Sequence, residues 1–291
     1  MYKAFYHLTR NPFELTPDPA FLFPTKKHRE ALATIHYGVR RHRGLVVMTG
    51  EVGTGKTLLV RCLLKLLKCS NDSYAYIFNS RLSPLEFLQY MGSNLGLKGA
   101  DNKSTLLLDL VDFLIARHEK RLTTVLLVDE AHDLSADVLE EIRILTNLET
   151  TQEKLLQILL VGQPELDEKL DSFDLRQLKQ RVALRCKLEP LCQEEVEGYI
   201  ERRLQCAGAN SHASGIFPTD TIAAIYRYSR GTPRLINTVC ENALIAAYAR
   251  QARSVTPDII DEVAADFRLG TVHPVKIQAE SRSHETVLAG S

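Results

Sequence analysis

The sequence predicts an α/β fold, a parallel sheet with helices on both faces, followed by a small all-helical unit. Apolar runs at residues 45–48, 74–78, 125–128 and 156–161 lack a clean period-two alternation, as strands buried on both faces do. Residues 57–67, 84–95, 106–119 and 136–148 carry apolar side chains at three-and-four spacing, so strand and helix alternate in the rhythm of right-handed crossovers. After Glu189-Pro190-Leu191 the strand signal stops, and residues 193–207, 219–229, 233–250 and 257–267 read as helices punctuated by Gly208, Gly215 and Gly231.

Taken in order, residues 1–24 interleave Pro12, Pro17, Pro19 and Pro24 with Phe5, Phe13, Phe21 and Phe23. Proline fixes turns while the aromatics require burial, which predicts an ordered extended arm lying on a domain. Thr25 is placed to cap a helix through His28, Leu32, Ile35 and Val39 to the basic end Arg40-Arg41-His42-Arg43, where cations suit the negative end of the helix dipole, and Gly44 stops it. Residues 1–43 hold eight Lys and Arg against Glu14, Asp18 and Glu30; a solvated helix face and an anionic partner both fit that imbalance. A core over residues 44–190 follows, with a fifth strand at 182–188 after a helix ending near Gln180. Residues 191–270 form the helical unit, and residues 271–291 lose periodicity, which predicts a mobile tail.

The 291 residues suit one large or two modest domains, and 25% charged with 45% hydrophobic residues excludes collagen-like, low-complexity and wholly disordered chains. Lys plus Arg and Asp plus Glu number 36 each, so no excess of cations argues for non-specific nucleic-acid binding. The cysteines at 62, 69, 186, 192, 206 and 240 form no C-x-x-C pair and no zinc spacing, and are expected to be buried thiols in a reducing compartment. The first ten residues lack a secretory plan, and no apolar stretch approaches the roughly 20 residues of a bilayer span. A cytoplasmic protein is expected.

Two motifs carry chemistry. Gly50-Glu51-Val52-Gly53-Thr54-Gly55-Lys56-Thr57 satisfies G-x-x-x-x-G-K-[ST] between a strand and a helix, the setting of a P-loop NTPase. Its glycines let backbone wrap a phosphate chain, Lys56 would reach the β- and γ-phosphates of ATP, and the Thr57 hydroxyl would bind Mg²⁺. The apolar run at 124–128 then ends in Asp129-Glu130. An apolar strand has no reason to end in two acids unless they face a cation or a water; Asp129 is placed to hold Mg²⁺ through its water shell and Glu130 to polarise the attacking water. The pair makes an ATPase the expected activity.

A phosphate loop, an Asp-Glu strand end and a helical appendage resemble the AAA+ class, in which the small helical domain is a lid over the nucleotide and neighbouring subunits complete each other's sites. The resemblance implies that Gln163, in Gly162-Gln163-Pro164, is the polar sensor beside the γ-phosphate. It places an arginine finger in Arg176-Gln177-Leu178-Lys179-Gln180-Arg181, with Arg181 first and Arg185 and Arg176 behind it. Arg234, in Gly231-Thr232-Pro233-Arg234, matches the lid arginine that contacts phosphate from the same subunit. An arginine at that helix start faces the positive end of the dipole, which favours an anion beside it.

Further runs narrow the family. Asn11-Pro12-Phe13-x-Leu15-Thr16-Pro17-Asp18-Pro19, His28-Arg29-Glu30-Ala31-Leu32, Leu148-Glu149-Thr150, Val161-Gly162-Gln163-Pro164-Glu165-Leu166 and Arg176-Gln177-Leu178-x-Gln180-Arg181 resemble the ATPase part of the ExeA, or general secretion pathway A, family over about residues 1–270. Its relatives include ATPases of type IV pilus biogenesis and of exosortase and exopolysaccharide systems. The secretion member continues into a membrane span and a periplasmic peptidoglycan-binding domain, whereas residues 271–291 are a short polar tail. The resemblance therefore implies a cytoplasmic ATPase, peripheral at the inner membrane through a partner. It would assemble as a homo-oligomeric ring, a hexamer being one form, and serve protein components of an envelope or polysaccharide export complex. The alternatives are a nucleotide-gated scaffold and a DNA-associated AAA+ ATPase resembling transposition regulators. Against DNA, residues 190–270 carry eight Arg and ten Asp or Glu and no added basic recognition helix.

Overall fold

The computed structural model describes residues 2–78, 81–99, 102–209 and 213–270. The tail expected at 271–291 lies outside the described residues. Five strands, Leu45–Gly50 (β1), Ser73–Ile77 (β2), Thr124–Val128 (β3), Gln157–Gly162 (β4) and Val182–Leu188 (β5), form one sheet of order β2-β3-β4-β1-β5. Every pair is parallel.

The missing alternation has a direct cause in the pleat. Val46, Met48, Leu127, Leu159 and Val161 pack on one face with Ile35 and Leu63 of the helices Lys26–Arg40 and Lys56–Cys69. Val47, Leu126, Val128, Ile158 and Leu160 pack on the other with Leu88, Leu110 and Ile142 of the helices Pro84–Leu95, Lys103–Glu119 and Ala136–Leu145. Both phases of the two-residue repeat are therefore apolar. Replacing Leu159, 1% exposed at the sheet centre, by Ala would cost about 2–5 kcal/mol. The edge strand β5 alternates, exposing Ala183, Arg185 and Lys187.

Capping sets the helix ends. Thr25 Oγ1 accepts the His28 N–H, Ser83 and Glu86 form a reciprocal capping box, and Ser135 Oγ accepts from Val138. The helix expected at 136–148 stops at Leu145, because the chain turns into a tight hairpin in which Leu155 N–H bonds Leu148 O at 2.9 Å and Glu149 bridges Lys154.

A third core belongs to the helices Gln193–Cys206, Thr219–Ser229, Pro233–Ala249 and Pro257–Asp266, with Val196, Ile200, Leu204, Ile225, Ile236 and Ile260 among its buried members. The N-terminal arm is built into this core through Tyr2, Tyr6, Leu8 and Phe13. The arm is not wholly extended: it opens with the one-turn helix Tyr2–Phe5 and later makes a 3₁₀ turn, Pro19–Phe21, capped by Asp18. Tyr6 OH donates to Ala252 O at 2.9 Å and Thr9 N–H to Ala207 O at 2.8 Å. Where the sheet unit passes into the helices, Leu191 N–H donates to Gly231 O at 2.9 Å. Gly231 has φ 75°, and a Cβ there would lie 1.8 Å from Leu191 O, so the turn admits only glycine.

The cysteine expectation requires correction. All six thiols are free, but only Cys240 is buried, and Cys69 and Cys192 are exposed. Cys69 ends one helix and Cys192 stands at the N-cap of another, positions where no core wall covers the sulfur.

Candidate functional site

A parallel sheet brings the C-terminal ends of neighbouring strands to one edge. β1 delivers Gly50, β3 delivers Asp129 and Glu130, and β4 delivers Gly162 and Gln163. Residues 50–55 loop from β1 into the helix Lys56–Cys69, whose N-cap, Gly55, supplies no side-chain acceptor. The first-turn N–H groups therefore face the cleft uncapped, and an anion suits them. The loop is braced from within, Thr54 Oγ1 donating to Glu51 O at 2.8 Å. Lys56, only 6% exposed, turns its ammonium onto Gly50 O at 2.7 Å and Glu51 O at 3.1 Å. Burial holds its pKa below the ordinary lysine value, opposed by the charges of Glu130 and Asp129.

The buried Asp129 carboxylate is fully engaged. Its Oδ2 accepts from Thr57 Oγ1 at 3.2 Å and from Tyr76 OH at 3.0 Å, and its Oδ1 from the Glu130 N–H at 3.0 Å. Burial, reinforced by Asp129, pushes the Tyr76 hydroxyl pKa well up, keeping it a donor. Glu130 adopts a left-handed backbone, φ 52° and ψ 39°, a strained conformation of the kind found at functional sites. Its Oε2 is buried with no hydrogen-bond partner, 3.5 Å from His132 Nδ1. The Gln163 side-chain nitrogen lies 2.8 Å from His132 Nε2, and the His132 carbonyl is anchored by Lys169 Nζ at 2.7 Å. His132 thus stands between the two sequence-identified residues Glu130 and Gln163.

The helical unit closes the cleft. The Arg234 N–H reaches Gly53 O at 3.3 Å, and its side chain lines the cleft with Lys56, Glu130 and Gln163. Arg181 lies elsewhere, exposed at the end of the helix Arg176–Arg181. It adds to the charge that keeps the Glu149 carboxyl low, an effect due first to Lys154. Arg185 pairs with Asp167 at 2.7 Å, and Arg176 stacks on Phe173 at 4.2 Å.

A model of the AAA domain matches residues 39–170. General secretion pathway protein A of Aeromonas hydrophila is 43% identical over 257 residues, which are 88% of this chain and 46% of that protein. The chain carries an AAA domain and is similar to general secretion pathway protein A over most of its own length. It spans about half the length of that curated relative. Solved structures share the AAA+ fold. Cdc6p from Pyrobaculum aerophilum matches with TM-score 0.64 at 17% identity, over 88% of this chain and 70% of that one. The RuvB Holliday junction branch migration motor of Thermotoga maritima matches with TM-score 0.54 at 17% identity, over 82% and 67%.

Sequence reasoning about this AAA+ cleft missed one wall. Residues 14–18 of the arm face Tyr199, Arg203 and Asn237 across it. Arg203, 5% exposed, donates to Pro12 O and Glu14 O and to Tyr199 OH, and Tyr199 donates to Asn237 Oδ1 at 2.8 Å. The available signal was Tyr199 and Arg203 at i, i+4 on one helix, beside an arm rich in fixed turns. Tyr76 and His132 were missed because strand register and a three-residue turn place them, and neither stands in a sequence pattern.

Proposed function

We propose that this AAA+ chain binds ATP with Mg²⁺ in the cleft and hydrolyses it to ADP and phosphate, and that turnover powers or regulates an envelope assembly, secretion or exopolysaccharide machine. The observation that supports this most is the convergence of Lys56, Thr57, Asp129, Glu130 and Gln163 from three adjacent strand ends in a cleft closed by Arg234. The hard oxygens of Thr57 and Asp129, 3.2 Å apart, are the donor set Mg²⁺ prefers. Bound Mg²⁺ would offset charge on the phosphate oxygens. The loop Gly50, Glu51, Val52, Gly53, Thr54 and Gly55 would wrap the phosphates with its N–H groups, and Lys56 would exchange its two carbonyls for phosphate oxygens. Glu130, whose Oε2 has no donor, would take the proton of the attacking water. Gln163, with His132, would orient that water or the γ-phosphate.

In this reading residues 44–190 are the ATPase core and 191–270 the lid, preceded by the arm and basic helix of 1–43. Arg234 reads the phosphate within one subunit, and Arg181, exposed and away from its own cleft, reaches the site of the next subunit in a ring. A cytoplasmic position, at the inner membrane through a partner, accords with the described residues, of which no helix is long and apolar enough to cross a membrane.

The test is Glu130→Gln. The variant should bind ATP within about threefold of the parent while phosphate release falls by about 10²-fold or more, and near-normal turnover would remove Glu130 from the role of base. Used as bait under ATP, the same variant should retain envelope-complex proteins. Recovery of DNA instead would favour the DNA-associated reading.

A further inference from the structure

The edge of the sheet opposite the cleft gathers a second set of chemical groups. β3, β4 and β1 are neighbours, so the segments entering them meet. His118 stands six residues before β3, Glu153 four before β4 and His42 three before β1. The central strand's segment supplies the carboxylate, and a histidine flanks it on either side. His42 Nδ1 is 3.7 Å from Glu153 Oε2, His118 Nε2 is 3.7 Å from Glu153 Oε1, and one ligand atom from each of the three residues lies within 4.8 Å of the others.

We propose that His42, His118 and Glu153 bind a divalent transition metal, with Zn²⁺ the ion that fits best. Bonds of 2.0–2.1 Å at tetrahedral angles put ligand atoms about 3.3 Å apart. The imidazole–carboxylate gaps are 3.7 Å, His42 facing Oε2 and His118 facing Oε1, and with one ligand atom of each residue within 4.8 Å of the others the side chains must draw together by up to about 1.5 Å to reach that spacing. Two imidazoles and one carboxylate suit zinc, whereas Mg²⁺ and Ca²⁺ prefer all-oxygen sets. Water would fill the fourth position, as in other sites with three protein ligands.

The surroundings prepare the site. His42 holds a left-handed backbone at φ 49°, which turns it out of the preceding helix. Glu153 sits in the hairpin closed by the Glu149–Lys154 bridge, where Thr150 Oγ1 accepts the N–H groups of Gln152 and Glu153 at 3.2 and 3.1 Å. Lys154, Arg40 and Arg117 are engaged elsewhere. Lys154 Nζ donates to Thr146 O at 2.8 Å and pairs with Glu149, Arg40 pairs with Asp72 at 2.9 Å, and Arg117 donates to the carbonyls of Asn71 and Thr123. His42 Nδ1 is also 3.2 Å from Lys154 O, a contact that coordination at this nitrogen would replace. A metal here would staple the entries of three adjacent strands. At ~3.3 Å per residue along β1, the site lies roughly 20 Å from the phosphate loop, so it acts on stability and does not compete with nucleotide.

The 291-residue chain kept reduced, with saturating Mg²⁺ present, would be titrated with Zn²⁺ by calorimetry and with Co²⁺ followed by absorption. The expected result is one equivalent of either ion, without the intense near-ultraviolet band of thiolate ligation. The His42→Ala/His118→Ala double variant and the Glu153→Gln variant should each bind at least about ten-fold more weakly. Zn²⁺ should raise the unfolding temperature of the parent and leave that of both variants unchanged. Glu153 is exposed and its Gln replacement isosteric, so the second variant keeps the test valid if the first fails to fold. The proposal is overturned by the absence of stoichiometric binding, by unchanged binding in Glu153→Gln, or by a thiolate band showing that the free cysteines hold the ion.

Discussion

The direct seating of the helical unit on the phosphate loop can be tested with two glycines of the same backbone conformation. Gly53 and Gly96 have φ of 81° and 80°, so alanine at either pays about 1–2 kcal/mol for the left-handed region. They differ in what the new methyl meets. At Gly96 nothing lies within 4 Å, whereas at Gly53 the added Cβ falls 2.7 Å from Arg234 Cβ and 3.0 Å from Thr232 Cγ2. Carbon atoms rest at about 3.5–4.0 Å, and Arg234 Cβ cannot swing aside by changing rotamer. The loop or the helix Pro233–Ala249 must therefore move by about 1 Å, and such overpacking costs about 1–3 kcal/mol. If ATP is held between loop and lid, that cost appears as about 5- to 150-fold weaker binding, at tenfold per 1.4 kcal/mol. Titration with a fluorescent ATP analogue, beside thermal unfolding, reads both quantities. Both variants should lose a few degrees of stability, and Gly53→Ala alone should lose nucleotide affinity. Wild-type affinity in Gly53→Ala, or an equal loss in Gly96→Ala, would refute the reasoning.

Three further outcomes are expected. His132→Ala should lower kcat about 10-fold or more with ATP affinity nearly unchanged, because the imidazole touches Glu130 and Gln163 and not the loop; a change confined to KM would count against it. Arg181→Ala should be inactive alone and partly active when mixed with Lys56→Ala, each subunit supplying what the other lacks, and failure of the mixture would argue against an intersubunit arginine. His28, buried between Thr25 Oγ1 at 2.7 Å and Thr54 O at 3.2 Å, has partners suited to a neutral ring, and burial lowers its pKa from the ordinary 6.5. The unfolded chain then takes up the proton first. Its stabilising contribution is complete above pH 6.5 and declines as pH falls from there toward the folded-state pKa. His28→Gln should flatten the dependence of unfolding temperature on pH below 6.5; an unaltered slope would show that other groups set it.

The sheet was legible because burying both faces of a strand leaves a short apolar run, set between segments whose apolar residues recur at three-and-four spacing. β1 nevertheless extends past Met48 through Thr49 and Gly50, which pair with Lys187 and Leu188 on an edge strand, a partner no local pattern reveals. The phosphate loop and Asp129-Glu130 were legible because their chemistry is compact in sequence. The arm's part in the cleft was not, since the carbonyls of Pro12 and Glu14 meet Arg203 about 190 positions away. Prolines and aromatics show that such an arm must be tied down, but not to which surface. The cysteines misled because residue type sets only an average burial, while Cys69 and Cys192 take theirs from helix ends.

The arm's place in the helical core has a consequence for the order in which the protein is made. Tyr2, Tyr6, Leu8 and Phe13 leave the ribosome well before the helices that cover them, and Tyr6 bonds to Ala252, 246 positions later. At ~5–20 residues per second, these apolar groups wait roughly 10 to 50 s for their partners while the sheet between them can already collapse. The arm is thus sticky until the helices that cover it have emerged, and slow codons over residues 193–266 would lengthen that exposure.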